Sequence, residues 1–352
     1  MAEARVSSDV TLDFRPLGEA FRSGKKPRIA NVSALAADGD LLWSASDEGA
    51  TIERLRLVGD AAAADRFVAT DSVALNAVFP AFEPLSSDAE ADLEALCFEA
   101  GSRRLWMCGS HCWSLGKHGD EATFLTDPDM RRRRRARTLL GFAEVDDGGE
   151  LSIGRCLPAG EDQGGLLAAI GWLDDACLTD SLRKLSKQGG LDIEGMAAFG
   201  DNLLIGLRGP VCEGNAIVLR AHVDIGATGL AISEPPGVAR LGLGGLGVRD
   251  LLIRGRDILV LAGPMGDPDE PGSRTFAVHR WAGGIDAMSA GHDQVVQLDE
   301  TTRILDLTSA VAAGAEKPEG MTIVGGGRLV IVRDGRGGPE GLLGVYAYDL
   351  PG

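Results

Sequence analysis

The chain has 352 residues, 44% of them hydrophobic, enough to bury roughly three quarters of the surface it would expose unfolded. Its formal net charge of −17 disfavours nucleic acid and anionic membrane surfaces as partners, and no stretch reaches the roughly 20 apolar residues of a membrane helix. The opening MAEARVSSDV lacks an apolar signal core, and six cysteines (97, 108, 112, 156, 177, 212) form no dense framework, so the chain is read as cytoplasmic with reduced, structural thiols.

Residues 10–17 read as a strand, and a basic, Pro-containing linker, RSGKKPR, follows. The first hairpin, at 31–46, is NVSAL, the turn ADGD and LLWSAS. The pattern returns at 92–110 (DLEAL, EAGSR, RLWMCGS), 191–208 (LDIEGMAAFGDNLLIGLR), 247–263 (GVRDL, RGRD, ILVLAG) and 317–334 (KPEGM, GGGR, LVIVRD). Third strands are expected at 52–58, 139–145, 217–223, 276–281 and 345–350, and fourth strands at 67–75, 151–157, 238–243 and 295–298. The fifth copy has no sequence left for a fourth strand, which residues 10–17 can supply.

Between these copies lie the insertions. A helical turn is expected at Ser86 to Asp88. The insertion 111–137 holds KHGDE, TDPDM, and arginines at 131–135 and 137, read as a charged loop that is either a solvated counterweight to nearby acids or an anion clamp or partner-docking loop. The insertion 159–190 contains a helix capped by Asp174 or Asp175, with Ala176, Leu178, Leu182 and Leu185 on its apolar stripe and Gly189-Gly190 ending it. Its alternative is a degenerate sixth repeat built partly from 165–178. The acidic loop 264–274, PMGDPDEPGSR, lacks the spaced ligands of an EF-hand, and Gly335 to Gly338 sit in another charged loop.

Copies starting near 31, 92, 192, 247 and 317 are spaced too unevenly for a solenoid and fit propeller blades with irregular insertions. The expected fold is all-β: residues 1–352 form a single β-propeller domain of five recognisable blades, six as the alternative, closed into a ring by the N-terminal strand, which removes exposed edges.

Stacking the copies aligns Ser33, Glu94, Glu194, Arg249 and Glu319 at the third position and Asn31, Asp92, Asp192, Gly247 and Lys317 at the first. Equivalent positions in a propeller ring its channel, and the second strands end at the same mouth with Asp47, Ser110-His111, Arg208, Gly263 and Arg333-Asp334. Carboxylates this close need cationic company. Either Arg208, Arg249 and Arg333 interleave with them as an ion-pair ring, or a hard cation, Ca²⁺ first, is held by Asp92, Glu94, Asp192, Glu194 and Glu319. A metal with open positions would polarise a phosphoryl or carbonyl oxygen while a remaining Glu acts as base. The acids can equally be repeat-structural caps, although Ser33 and Arg249 break the symmetry such a role predicts. Cys108, His111 and Cys112 lack a second half for zinc, GLGGLG at 242–247 has no helix after it, and no G-x-S-x-G elbow is present.

NVSAL, DLEAL, DIEGM and KPEGM, each followed by an LLW- or LLI-type strand, resemble a bacterial propeller family carrying the label domain of unknown function 3616, over most of residues 31–349. The D-x-E-G element also resembles that of phytase-like esterase propellers, which implies an acidic, metal-binding mouth carried by Asp192, Glu194 and Glu319. The expected activity is a metal-dependent hydrolase of a small phosphoester or ester, with Glu94, Glu194 and Glu319 holding the cation or acting as base and Arg208, Arg249 and Arg333 orienting the anion. The alternative is a non-catalytic propeller that holds a small anionic ligand or a protein through the mouth and the loop Arg131 to Arg137.

Overall fold

The computed structural model describes residues 5–22, 27–60, 65–85, 90–115, 120–266, 275–290, 294–299, 302–308, 317–334 and 340–350. The turn expected at Ser86 to Asp88, most of the loop 264–274 and Gly335 to Gly338 lie outside them.

The hairpin pattern produces antiparallel sheets that follow one another along the chain. The first has β2 (Val32–Asp38), β3 (Leu41–Ser46), β4 (Thr51–Leu57) and β5 (Arg66–Ala74). The next has β6 (Leu93–Glu99), β7 (Arg104–Gly109), β8 (Leu140–Glu144) and the short β9 (Arg155–Cys156). Then come β10 (Asp192–Phe199), β11 (Asn202–Cys212), β12 (Asn215–His222) and β15 (Gly237–Gly242), with a separate two-stranded pair of β13 (Asp224–Ile225) and β14 (Leu230–Ala231). After them follow β16 (Gly247–Arg254), β17 (Asp257–Gly263), β18 (Ala277–Trp281) and β20 (Arg303–Asp306), and finally β21 (Lys317–Val324), β22 (Arg328–Asp334) and β23 (Leu342–Asp349). The strand nearest the N-terminus, β1 (Arg5–Asp13), pairs antiparallel with β23, Val10 opposite Val345 and Leu12 opposite Leu343. It also touches β5 in parallel through Thr11 to Asp13, which joins the first and last sheets into one of eight strands.

Strand alternation explains how the sheets stack. On β7, Leu105 and Met107 enter the core shared with Trp43 and Ile52 of the first sheet, while Trp106 and Cys108 enter the core shared with Ile193 and Ile205 of the following one. Each sheet is thus buried on both faces, and every such side chain removed from water stabilises the stack by about 1.5–3 kcal/mol. The first strands close on one another: β2 lies beside β6 and β21, β10 beside β6 and β16, and β16 beside β21. A cavity of about 340 Å³ is lined by residues of all five, among them Ala36, Leu96, Met196, Leu252 and Ile323. This is a β-propeller arrangement, with the sheets radial and their first strands around a central channel.

Several expectations need correction. The closing strand covers Arg5–Asp13, because Pro16 lies in a 3₁₀ turn, Arg15–Leu17. The strand expected at 295–298 as the outer strand beside β18 is instead β19 (Gln294–Gln297), which adds in parallel to β15; the outer strand on β18 is β20. Residues 165–178 form helices, Leu166–Ile170 and the start of Ala176–Ser181, rather than strands of a sixth repeat. Asp175 caps the second of these by accepting from the Leu178 N–H, and the helix ends well before Gly189. The arginine run is a helix, Pro128–Arg137, rather than a loop. Lastly, Cys177 and Cys212 form a disulfide that ties the helix Ala176–Ser181 to the end of β11, so the cysteines are not all reduced.

Candidate functional site

All five first strands break register at the same point. The breaks fall between Val32 and Ala34, Leu93 and Ala95, Ile193 and Gly195, Val248 and Asp250, and Pro318 and Met321. They leave Ser33, Glu94, Glu194, Arg249 and Glu319 without a cross-strand partner. A β-bulge re-aims the side chain of its extra residue, and here five bulges bring the third-position residues toward one mouth of the channel. The residue after four of the five bulges is Ala or Gly, where strands approach closely: a Cβ on Gly195 would lie 2.9 Å from Asp250 Cα, and one on Gly320 2.7 Å from the Ser33 carbonyl oxygen.

The bulged residues stitch neighbouring sheets together. The Ser33 hydroxyl donates to the Leu93 carbonyl at 2.5 Å. Arg249, 1% exposed, places Nη1 2.6 Å from Glu194 Oε2 and 3.6 Å from Glu319 Oε1, with its guanidinium 5.7 Å from the Phe276 ring centre. Arg208 at the end of the straight part of β11 pairs with Asp192 and reaches Glu194 Oε1 at 2.5 Å. Arg137, the last residue of the arginine helix, lies 3.2 Å from Asp92 Oδ2 and 3.4 Å from Glu90 Oε2, and the Ser110 hydroxyl donates to Asp92 as well. Arg333 packs its guanidinium 3.5 Å from the Tyr346 ring centre.

Glu94 stands apart. It is half-buried and makes no hydrogen bond or ion pair among the described residues, while Asp92, Glu194, Glu319 and Asp47 all bear on it. Burial first, and then those four carboxylates, hold its carboxyl well above the usual range, so it keeps its proton where ordinary glutamates lose theirs. Asp192 is pushed up to about 6 by burial and by Glu194 and Asp92, with Arg208 pulling the other way. The same excess of acids, against the cost of burial, holds Arg208 firmly charged.

The structure therefore brings together Asp92, Glu94, Asp192, Glu194, Glu319, Arg208 and Arg249, and Arg333 packs on the Tyr346 ring. Two participants escaped the sequence reading. Arg137 was hidden in a run of like residues. Asp250, 4% exposed, follows the bulge where other strands have Ala or Gly, and its carboxylate accepts from the Leu251 and Met321 N–H groups, bridging to β21. Among the described residues no three His, Cys, Asp or Glu side chains are grouped to hold a metal ion, since the carboxylates are divided among arginines. His111 is buried and pushed down to about 4 by that burial, with Nδ1 2.8 Å from the Gly109 carbonyl oxygen, so it serves as a neutral packing residue.

Comparison with solved structures gives distant likenesses. The glutaminyl cyclase of Myxococcus xanthus is 11% identical, with all of both chains covered and a TM-score of 0.43. A Trichoderma reesei carbohydrate-active enzyme of family AA12 is 8% identical over 99% of this chain and 98% of its own, with a TM-score of 0.42. The WD40 β-propeller domain of Doa1 is 9% identical over 94% of this chain and 66% of its own, with a TM-score of 0.30. Likenesses this remote carry no argument about activity. No curated protein matches the chain. One family model matches residues 31–137 and 152–338, and its description reads "Protein of unknown function (DUF3616)".

Proposed function

Because the chain belongs to the DUF3616 family, whose name carries no activity, the site has to supply the reading: we propose a five-bladed propeller that binds a small ligand at its channel mouth, with Glu94 as the side chain that engages it. The supporting observation is the pairing pattern. Arg208 and Arg249 neutralise Asp192, Glu194 and Glu319, Arg137 takes Asp92, and Glu94 is left over. Glu94 has no guanidinium partner among the described residues and faces several other carboxylates, so a positively charged ligand group lowers the cost of ionising it, and binding releases its proton. A divalent cation is the simplest such probe. Calorimetric titration with Ca²⁺, Mg²⁺, Mn²⁺ and methylammonium, each in two buffers of different ionisation enthalpy, should reveal binding coupled to proton release and lost in Glu94→Gln. No binding by any of these, or binding untouched by the substitution, overturns the reading.

The raised carboxyl of Glu94 favours one second reading, a hydrolase of a small phosphoester or ester in which Glu94 is the general acid and the neighbouring arginines orient the anion. Turnover of p-nitrophenyl phosphate or p-nitrophenyl acetate that drops about a hundredfold in Glu94→Gln supports it. A wild-type protein inert to both removes it.

A further inference from the structure

Beside the mouth, on the far side of the arginine helix, is a second cavity of about 530 Å³. Arg131, Arg134 and Arg135 line it from the helix Pro128–Arg137, and Arg183 lines it from the insertion that follows β9. Two carboxylates share it. Glu161 Oε1 is 3.1 Å from Arg134 Nη1, and Asp162 Oδ2 is 3.1 Å from Arg135 Nη2. Four guanidinium groups against two carboxylates leave two positive charges in a chain whose sum is −17.

Arg134 marks this as a built site rather than a solvated face. It is 5% exposed, its guanidinium sits 4.5 Å over the Trp113 ring centre, and its Nη2 is buried with no hydrogen-bond partner among the described residues. Burial lowers its affinity for a proton, to about 10, and a guanidinium is kept in such surroundings at a cost that an anion relieves. The exposed Arg183 makes no ion pair or side-chain hydrogen bond among the described residues, and Trp113 and Leu125 supply an apolar wall.

We infer that this cavity binds the phosphoryl group of a small phosphorylated molecule. A phosphate monoester carries about −1.5 to −2 charges at neutral pH, which matches the surplus, and it offers three oxygens to guanidinium groups arriving from several directions. A carboxylate would leave half of that surplus and use one arginine fork. The volume exceeds that of a bare phosphate and lies in the usual range for small-molecule sites, which leaves room for the rest of the ligand along Trp113. This site is separate from Glu94, so its test stands whether or not the channel mouth binds a cation.

The test is calorimetric titration of the whole chain at low salt with phenylphosphonate, a non-hydrolysable dianion, with benzoate, which has the same ring and one charge, and with inorganic phosphate. Phenylphosphonate should bind roughly tenfold more tightly than either. Arg131→Gln and Arg183→Gln, both at exposed positions, should each weaken it several-fold, Arg134→Lys more, and Arg132→Gln, whose side chain does not line the cavity, not at all. Affinity for phenylphosphonate no greater than for benzoate, or unchanged in both Arg131→Gln and Arg183→Gln, overturns the inference. Inorganic phosphate binding as tightly as phenylphosphonate overturns the part that assigns a larger phosphorylated molecule.

Discussion

Glu94 owes its chemistry to where the backbone puts it. A bulge swings the carboxyl toward four others, and the arginines within reach are already engaged, so its proton is the least costly counterion available. The consequence for stability has a definite sign. With its folded pKa above the unfolded one, Glu94 contributes stability that is complete below the unfolded carboxyl range, near pH 4, and declines as pH rises through the folded value. Glu94→Gln removes that dependence. The variant should gain on the parent as pH climbs from about 5 to 9, read as the difference in urea midpoint at each pH. A constant difference across that range would show that Glu94 titrates normally. Arg249 is the opposite case, since it is buried and bound to two glutamates from adjacent sheets, and its loss would strand charge rather than release it.

At the scale of elements, the insertion 159–190 is held by a covalent link as well as by packing. Cys177 and Cys212 close 35 residues, and Leu178 beside the link enters the core with Ile193 and Leu207. Under denaturing conditions without reductant, a thiol reagent should titrate four cysteines rather than six, and Cys177→Ser with Cys212→Ser should cost about 2–4 kcal/mol in chemical unfolding. Six reactive thiols would refute the pairing. The pair was illegible in the sequence because spacing alone does not reveal which cysteines meet. Other elements were legible for stated reasons. The five hairpins announced themselves because each strand alternates between two cores and each turn carries Gly or Asp, as in ADGD before Leu41. The arginine helix carries its own start signals, Asp127 at its N-cap and Pro128 at its first position, which the charge run obscures. The bulges were not legible. Nothing in DLEAL or DIEGM shows that one residue pairs with nothing, although aligning the copies placed all five such residues in one column. For that reason the members of the mouth could be named while their pairings could not.

On the scale of the molecule, the sheets are a chain of interfaces rather than a set of modules, since each contributes alternate residues to the cores on both sides. A lesion in one place should therefore be felt everywhere. Leu12, fully buried where β1 meets β23, is a suitable probe. Leu12→Ala should lower stability by about 2–5 kcal/mol while unfolding by urea remains a single transition by both fluorescence and circular dichroism. Two separated transitions would mean that the ring opens at its seam before the sheets part.

That seam also sets a timetable. Leu12 is made well before its partner Leu343, so at about 5–20 residues per second the ribosome makes them roughly 17 to 66 seconds apart. Throughout that interval β1, which carries the core residues Val10 and Leu12, has an open edge and no antiparallel neighbour, and the first sheet can offer it only the three parallel positions on β5. Until β23 emerges, the strand on one side of the seam waits for the strand on the other, and its unpaired edge is open to other chains.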